Sequence, residues 1–110
     1  MLDMPEKTNA LVVAMKAAIP FKVMLTPEII THLARQQKPM HVKPTEIVSE
    51  ISYAGDEGGI LCHIRPAGAD SMVVVSLTHV RVARSLPFAA AAIDYQRHRV
   101  KKLRKQQSRI

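Results

Sequence analysis

The middle of the chain alternates apolar and polar positions with the period of two that is typical of half-buried β-strands. This pattern predicts strands at about 46–54 and 59–65, and a run rich in Val predicts a third at about 72–82. Gly-rich and Pro-containing segments at 55–58 and 66–71 are typical of turns between them. We therefore predict a three-stranded antiparallel β-meander.

The two predicted turns also set the register of the strands. Both hairpins, closed symmetrically, place the same aliphatic residues on one face, and a slip of one residue would send them to the other face. The expected cross-strand pairs are Tyr53–Ile60, Ile51–Cys62, Ser49–Ile64, Ile64–Val73, Cys62–Val75 and Ile60–Leu77. One alternative remains open at this stage, in which 45–51 forms a helix through Ile47, Val48 and Ile51.

Helical spacing and capping residues predict N-terminal helices at about 9–18 and 27–37. Thr8 is the expected cap of the first helix, after six frayed residues, and Thr26 followed by Pro27 is a strong start for the second. The segment 21–25 is expected to be an extended link or a short strand. An Ala-rich and then basic segment predicts a long C-terminal helix at about 86–107.

Length and composition favour a single small α+β domain over residues 1–110. The chain is 47% hydrophobic and has no Trp, so we expect an aliphatic core. The single cysteine, Cys62, cannot form an internal disulfide, which favours a reducing compartment. The apolar segment 10–25 is interrupted by Lys16, Pro20 and Lys22 and is too short to span a bilayer. A cytoplasmic protein without a membrane partner is therefore expected.

The net charge of +7 comes from one end of the chain. Seven of the 16 basic residues follow Tyr95, whereas all nine acidic residues precede it, so the part up to residue 94 is electrically neutral. We expect residues 96–110 to form a cationic helical extension of the domain. A local positive potential of this kind attracts polyanions or acidic protein surfaces.

The cations of this extension are the candidate binding residues. Lys and Arg neutralise phosphates and release condensed counterions without any sequence motif. We therefore predict a non-enzymatic, nucleic-acid-associated protein that contacts the phosphate backbone of RNA or DNA. The predicted site residues are Arg97, Arg99, Lys101, Lys102, Arg104 and Lys105. The residue types indicate neither a preference between RNA and DNA nor any base specificity.

Two other interpretations use the same segment. Val100 and Leu103 form a narrow apolar seam, which favours a protein-binding or self-associating regulatory module. Alternatively, the cations form a solvated helix end that suits the negative end of the helix dipole and keeps the protein in solution. An enzyme ranks third, and we predict no small-molecule substrate, cofactor or metal.

The register suggests one acid–base pair, because Glu50 and His63 lie opposite each other on the sheet face away from the core. A carboxylate there favours a basic imidazole, and Arg65 on the same face is suited to hold an anion. Exposed cross-strand charge pairs more often only stabilise a sheet. Cys62 points to the other face from His63 and is expected to be a core residue.

The outer sheet face carries more apolar surface than solvation requires. The predicted register places there Val48, Leu61, Val74 and Val80. A contiguous apolar area of roughly 300 Å² is already large enough for an interaction site. We expect this face either to pair with a second copy, giving a homodimer, or to be covered in part by the N-terminal helix.

Overall fold

The strands form one five-stranded antiparallel sheet in a fold that is α+β, as predicted. The computed structural model describes residues 3–66 and 71–107. Its helices are α1 (Pro5–Ala18), α2 (Pro27–Ala34), the single turn α3 (Gly55–Gly58) and α4 (Ala89–Gln107). Its strands are β1 (Phe21–Leu25), β2 (Thr45–Tyr53), β3 (Ile60–Ile64), β4 (Val73–Ser76) and β5 (Val80–Val82). The strand order is β4-β3-β2-β1-β5.

The connection between β4 and β5 forces this sheet to curl. The two strands lie at opposite edges, yet only the 3-10 turn Leu77–His79 joins them. The chain from Ser76 to Val80 spans at most about 14 Å. The edges of a flat five-stranded sheet lie about 19 Å apart. The edges must therefore approach each other, which encloses the concave face as the core.

The predicted meander is coarser than the observed sheet. The alternative helix at 45–51 is wrong, because β2 covers this segment. The segment 21–25 is a strand that pairs with both β2 and β5. The predicted continuous strand at 72–82 is wrong as well, because the 3-10 turn divides it. The Ser76 hydroxyl accepts a hydrogen bond from the Thr78 N–H (3.2 Å) and so favours the turn at this point.

The register is confirmed near the turns and differs away from them. The confirmed pairs are Tyr53–Ile60, Ile51–Cys62, Cys62–Val75 and Ile64–Val73. Ser49 does not face Ile64, because an irregularity between Val48 and Glu50 pairs Val48 with Ile64 instead. Leu77 does not face Ile60, since it lies in the 3-10 turn. Of the predicted turn at 66–71, residues 67–70 lie outside the described residues.

These two irregularities move apolar residues from the outer face into the core. Val48 and Val80 are both buried, although the ideal register places them on the outer face. A β-bulge shifts the alternation of side chains by one position, and the 3-10 turn resets it again before β5. The outer face therefore keeps less apolar surface than predicted, although Met24, Ile47 and Val74 remain exposed there.

The helix boundaries differ from the prediction at the start of α1 and the end of α2. Helix α1 begins at Pro5 rather than residue 9, because proline fits the first helical position. Thr8 therefore lies inside the helix and does not cap it. Helix α2 ends at Ala34 rather than residue 37, and its cap is confirmed, since the Ile29 N–H donates to Thr26 Oγ1 (3.4 Å).

The concave face of the sheet packs against α1 and α4. Helix α1 contributes Leu11 and Met15 to the core and contacts both β2 and α4. Phe88, just before α4, packs edge-to-face on Phe21 of β1 with ring centroids 4.9 Å apart. Within the described ranges, no helix combines the length and the apolar character needed to cross a membrane.

We predict that Met15 and Val13 respond oppositely to truncation, although they are neighbours on α1. Met15 is 0% exposed and Val13 is 60% exposed. Met15→Ala should lower the free energy of unfolding by about 2–5 kcal/mol, because it leaves a cavity in the core. Val13→Ala should change it by less than about 0.5 kcal/mol. Urea unfolding of both variants measures this, and equal losses would contradict the observed orientation of α1.

Candidate nucleic-acid interface

Helix α4 presents one face to the body of the protein, and Arg99 lies on that face. Phe88, Ala92, Tyr95 and Arg99 are all buried and follow one another at spacings of four, three and four residues. This is the spacing of a single helix face. Arg99 is 3% exposed, so it is not available to a nucleic acid in this structure, unlike what its place among the cations suggests.

Arg99 is neutralised by a carboxylate from the other end of the chain. Its Nη1 lies 3.1 Å from Oδ1 and 3.0 Å from Oδ2 of Asp3, whose side chain is 1% exposed. Asp3 falls in the segment predicted to be frayed, and that prediction is wrong for this residue. A buried charge must be paired and hydrogen-bonded to be tolerated. The pair therefore fixes the start of α1 against α4.

Two tyrosine hydroxyls and a backbone carbonyl complete the surroundings of this ion pair. Tyr53 and Tyr95 both donate to Asp3 Oδ2, at 2.8 and 3.2 Å. The Tyr95 hydroxyl also accepts from the Ile60 N–H at 3.0 Å. Arg99 Nη2 donates to the Asp56 carbonyl in α3 at 2.7 Å. The cluster thus joins α1, β2, α3, β3 and α4, and we call it the Asp3 cluster.

The acidic turn between β2 and β3 is shaped to receive Arg99. Gly55 and Gly59 flank the single helical turn α3 with positive φ values of 66° and 65°, which glycine adopts without strain. A Cβ atom on Gly59 would collide with the Tyr95 hydroxyl and lie 2.8 Å from the Arg99 guanidinium. The close approach of the turn to Arg99 therefore requires glycine at this position.

The remaining predicted cations lie on the solvent side of α4. At about 100° per residue, Arg97, Lys101 and Arg104 fall within an arc of about 60°, and Lys105 extends it to about 100°. All four are exposed, and Arg99 lies on the opposite side of the helix. We call Arg97, Lys101, Arg104 and Lys105 the cationic stripe. Lys102 is also exposed but lies off this stripe, nearer the body.

The body-facing side of α4 extends past the predicted start of the extension at residue 96. Gln96 Nε2 donates to the carbonyls of Leu77 (2.7 Å) and Val80 (2.8 Å) and so binds the 3-10 turn. Leu103 is half-buried, whereas Val100 is 36% exposed among the cations. Residues 108–110 of the predicted extension lie outside the part of the chain that the structure describes.

Glu50 and His63 face each other across β2 and β3, as predicted, and Ser52 joins them. His63 Nε2 lies 2.7 Å from Ser52 Oγ, whereas its Nδ1 lies 4.0 Å from Glu50 Oε2. A serine, an imidazole and a carboxylate are the components of a nucleophilic triad. At 4.0 Å the carboxylate is beyond hydrogen-bond distance and does not orient the ring. The cluster therefore acts as a cross-strand contact.

The remaining candidate chemistry gives no metal or thiol site in the described ranges. Burial raises the pKa of Cys62 to about 12, so the thiol stays protonated and unreactive at neutral pH. The described residues contain no group of three or more His, Cys, Asp or Glu side chains that could hold a metal ion. Arg65 is exposed just after β3.

Sequence reasoning missed Asp3, Tyr53, Tyr95 and Gln96 as partners of α4. Asp3 is separated from Arg99 by 96 positions, and no local pattern links them. One signal was present: Arg99 lies four residues after Tyr95 on the face that begins with Phe88 and Ala92. Periodicity alone therefore separates Arg99 from the stripe cations, once that apolar face is recognised.

Comparison with known proteins adds no family assignment to this geometry. No protein-family model matches the chain, and neither curated proteins nor solved structures give a match. The function must therefore be argued from the arrangement of its own residues.

We predict that Arg99 and Arg97 differ sharply in their effect on stability, although they are two residues apart. Arg99→Leu leaves the buried Asp3 carboxylate unpaired and should lower the free energy of unfolding by about 3–5 kcal/mol. Arg97→Leu on the exposed side should change it by less than about 0.5 kcal/mol. Chemical denaturation of the two variants makes the comparison. A small loss for Arg99→Leu would show that the Asp3 cluster does not hold α4.

We also predict that both tyrosines ionise late in the folded protein. Burial, together with the hydrogen bond to Asp3, raises the pKa of Tyr53 to about 12, and burial also raises the pKa of Tyr95. The folded state thus retains phenol protons that the unfolded chain loses near pH 10. This stabilisation is complete below about pH 10 and is lost as the pH rises towards 12.

Tyrosinate absorbance provides the measurement, because the chain has two Tyr and no Trp. The folded protein should show little tyrosinate until the pH is well above 10, and the urea-unfolded chain should titrate near 10. Tyr53→Phe leaves Tyr95 alone and separates the two titrations. Ionisation of both phenols near pH 10 in the folded protein would contradict the buried cluster.

Proposed function

We propose that this protein is a non-enzymatic, nucleic-acid-associated protein that contacts backbone phosphates through the cationic stripe of α4. The observation that carries the proposal is the division of the cations on this helix: Arg99 is neutralised by Asp3, whereas the stripe residues are exposed on one side. Arg99 is therefore removed from the predicted binding set. Its role is to hold the helix that displays the stripe.

The dimensions of the stripe support a phosphate backbone as the ligand. From Arg97 to Lys105 the helix rises about 12 Å. Duplex DNA carries one phosphate per 3.4 Å of axis on each strand, so this length faces about three to four phosphates of one strand. Arg and Lys suit such a contact, because guanidinium groups bind phosphate oxygens in pairs and ammonium groups bind them as point charges.

The residues around the stripe favour backbone contact over base recognition. The one tyrosine of α4, Tyr95, is buried in the Asp3 cluster, so it does not offer a stacking surface to single-stranded bases. Val100, exposed among the cations, provides limited apolar area. Duplexes and structured RNA are therefore the proposed ligands, and binding is expected to be independent of sequence.

Salt dependence of binding is the direct test. For duplex DNA, the stripe and Lys102 together supply five cations and predict a log–log slope of about −4.5 between affinity and salt concentration. Removing three charges with Arg97→Gln, Lys101→Gln and Arg104→Gln should reduce the slope to about −1.8. Fluorescence anisotropy with a labelled duplex and a labelled RNA hairpin, over a series of salt concentrations, measures both values.

A charge-matched variant is the control. Lys16→Gln, Lys22→Gln and Lys38→Gln remove three exposed lysines elsewhere and give the same net charge. This control should keep the slope near −4.5. Equal slopes for the two triple variants would show that binding reflects net charge rather than the stripe. Point variants are preferred to truncation at residue 96, because Gln96 and Arg99 bind the body.

The alternative, a protein-binding or self-associating module, makes a different prediction in the same experiment. A protein interface on α4 would leave the protein without measurable affinity for the duplex or the hairpin at moderate salt. The exposed Met24, Ile47 and Val74 would then be the first surface to examine. Absence of nucleic-acid binding by the unaltered protein therefore counts against the proposal.

A further inference from the structure

A groove separates α1 from the first half of α4, on a different side of α4 from the cationic stripe. Its volume is about 680 Å³, within the range of about 300–1,000 Å³ that is usual for ligand pockets. Leu11, Phe88 and Tyr95 form its buried floor. The groove exists because alanines face it from both helices, including Ala14 and Ala91, and their short side chains do not fill the space.

The polar groups around the groove are mostly hydrogen-bond donors. Lys7 and Thr8, adjacent on α1, supply an ammonium group and a hydroxyl, and His98 on α4 has at least one ring N–H in any protonation state. Asp94 is the one carboxylate among the described residues that line the groove. Three donors against one acceptor favour a ligand whose polar end accepts hydrogen bonds.

Thr8 is the group that most directly indicates a ligand. The residue is 5% exposed, yet its hydroxyl has no hydrogen-bond partner among the described residues. A buried hydroxyl normally has a partner, because leaving it unpaired costs free energy. A group bound in the groove next to Lys7 would provide that partner.

We propose that this groove binds a small amphipathic carboxylate. The apolar body lies on Leu11 and Phe88 between the alanines of the two helices, and the carboxylate accepts hydrogen bonds from the Thr8 hydroxyl and the Lys7 ammonium group. The ligand contributes apolar burial, and the charge-assisted hydrogen bonds fix its orientation. This site is independent of the proposed nucleic-acid contact.

The shape of the groove favours a ligand over a second copy of the chain. Two copies related by a two-fold axis would place one concave groove against the other, and two concave surfaces leave the space between them empty. A convex, flexible aliphatic molecule fills such a space. The Asp3 cluster forms one end of the same contact between α1 and α4, since Tyr95 belongs to both. A bound ligand should therefore also stabilise the fold.

Decanoate, used below its micelle concentration, is the probe for this site. In a titration followed by amide chemical shifts, it should bind saturably with one equivalent and shift the signals of Leu11, Ala14 and Ala91. Decanol, which has the same chain without the charge, should bind about tenfold more weakly, because it lacks the charge-assisted hydrogen bonds. Equal binding of decanoate and decanol would overturn the proposed recognition of the carboxylate.

Variants of the groove and a matched lysine locate the site. Lys7→Gln should weaken decanoate binding about tenfold, and Thr8→Val should weaken it about fivefold without changing the shape of the side chain. Lys16→Gln, on the same helix but outside the groove, should leave the affinity unchanged. Equal weakening by Lys7→Gln and Lys16→Gln would show general attraction of the anion to a basic protein, which contradicts the proposal.

Filling the groove is the final step of the test. Ala91→Trp, at an exposed position on α4, should abolish decanoate binding, and Ala14→Trp provides the same test from α1 if the first variant does not fold. Decanoate binding that persists in a folded Trp variant would overturn the proposal. Shifts of the groove signals with protein concentration alone would also overturn it, because they would indicate an interface between copies. The stripe variant Arg97→Gln, Lys101→Gln, Arg104→Gln should bind decanoate normally, so either proposal can fail alone.

Discussion

The arrangement of this protein depends on the buried ion pair between Asp3 and Arg99. A guanidinium group that is 3% exposed is stable there only because a carboxylate, two phenols and a carbonyl surround it. Those partners come from five separate elements, so the pair determines where α1, the β2–β3 turn and α4 meet. Removal of either charge leaves the other one buried without compensation, which makes the interaction a strict constraint on the fold.

The ion pair gives α4 two sides with different roles. On the inner side, Arg99 and Gln96 bind the cluster and the 3-10 turn. On the outer side, the cationic stripe meets solvent with its charge available for long-range attraction of a polyanion. The groove beside α1 occupies a third position, where the two helices touch only in part. A structural contact, a proposed phosphate contact and a proposed ligand site therefore share one helix without sharing cations.

Local patterns predicted the parts of the fold that depend on neighbouring residues. The two turns gave the pairing of Ile51, Cys62 and Val75, because symmetrical closure of a hairpin fixes the register close to the turn. The bulge after Val48 could not be predicted in this way, since neither alternation nor composition marks it. The break at Leu77 was also hidden, because its residues are compatible with a continuous strand, and the closure that rewards the break involves distant β1.

The candidate site divides along the same line. The exposed cations were identified from composition and charge alone, which need no knowledge of tertiary contacts. Arg99 was grouped with them because its partner lies at the opposite end of the chain, and sequence proximity to other cations gave the opposite impression. The helical spacing from Phe88 to Arg99 carried the correct information, but its meaning depended on recognising Arg99 as part of an apolar face.

The central claim, that one arginine of α4 is structural and its neighbours are exposed for binding, can be tested by side-chain NMR of the arginine Nε–H groups during addition of duplex DNA. The account predicts that the Arg99 signal exchanges slowly with water and does not shift, whereas the Arg97 and Arg104 signals exchange rapidly and shift as DNA binds. An Arg99 signal that exchanges as rapidly as the other two and shifts with them would contradict the account.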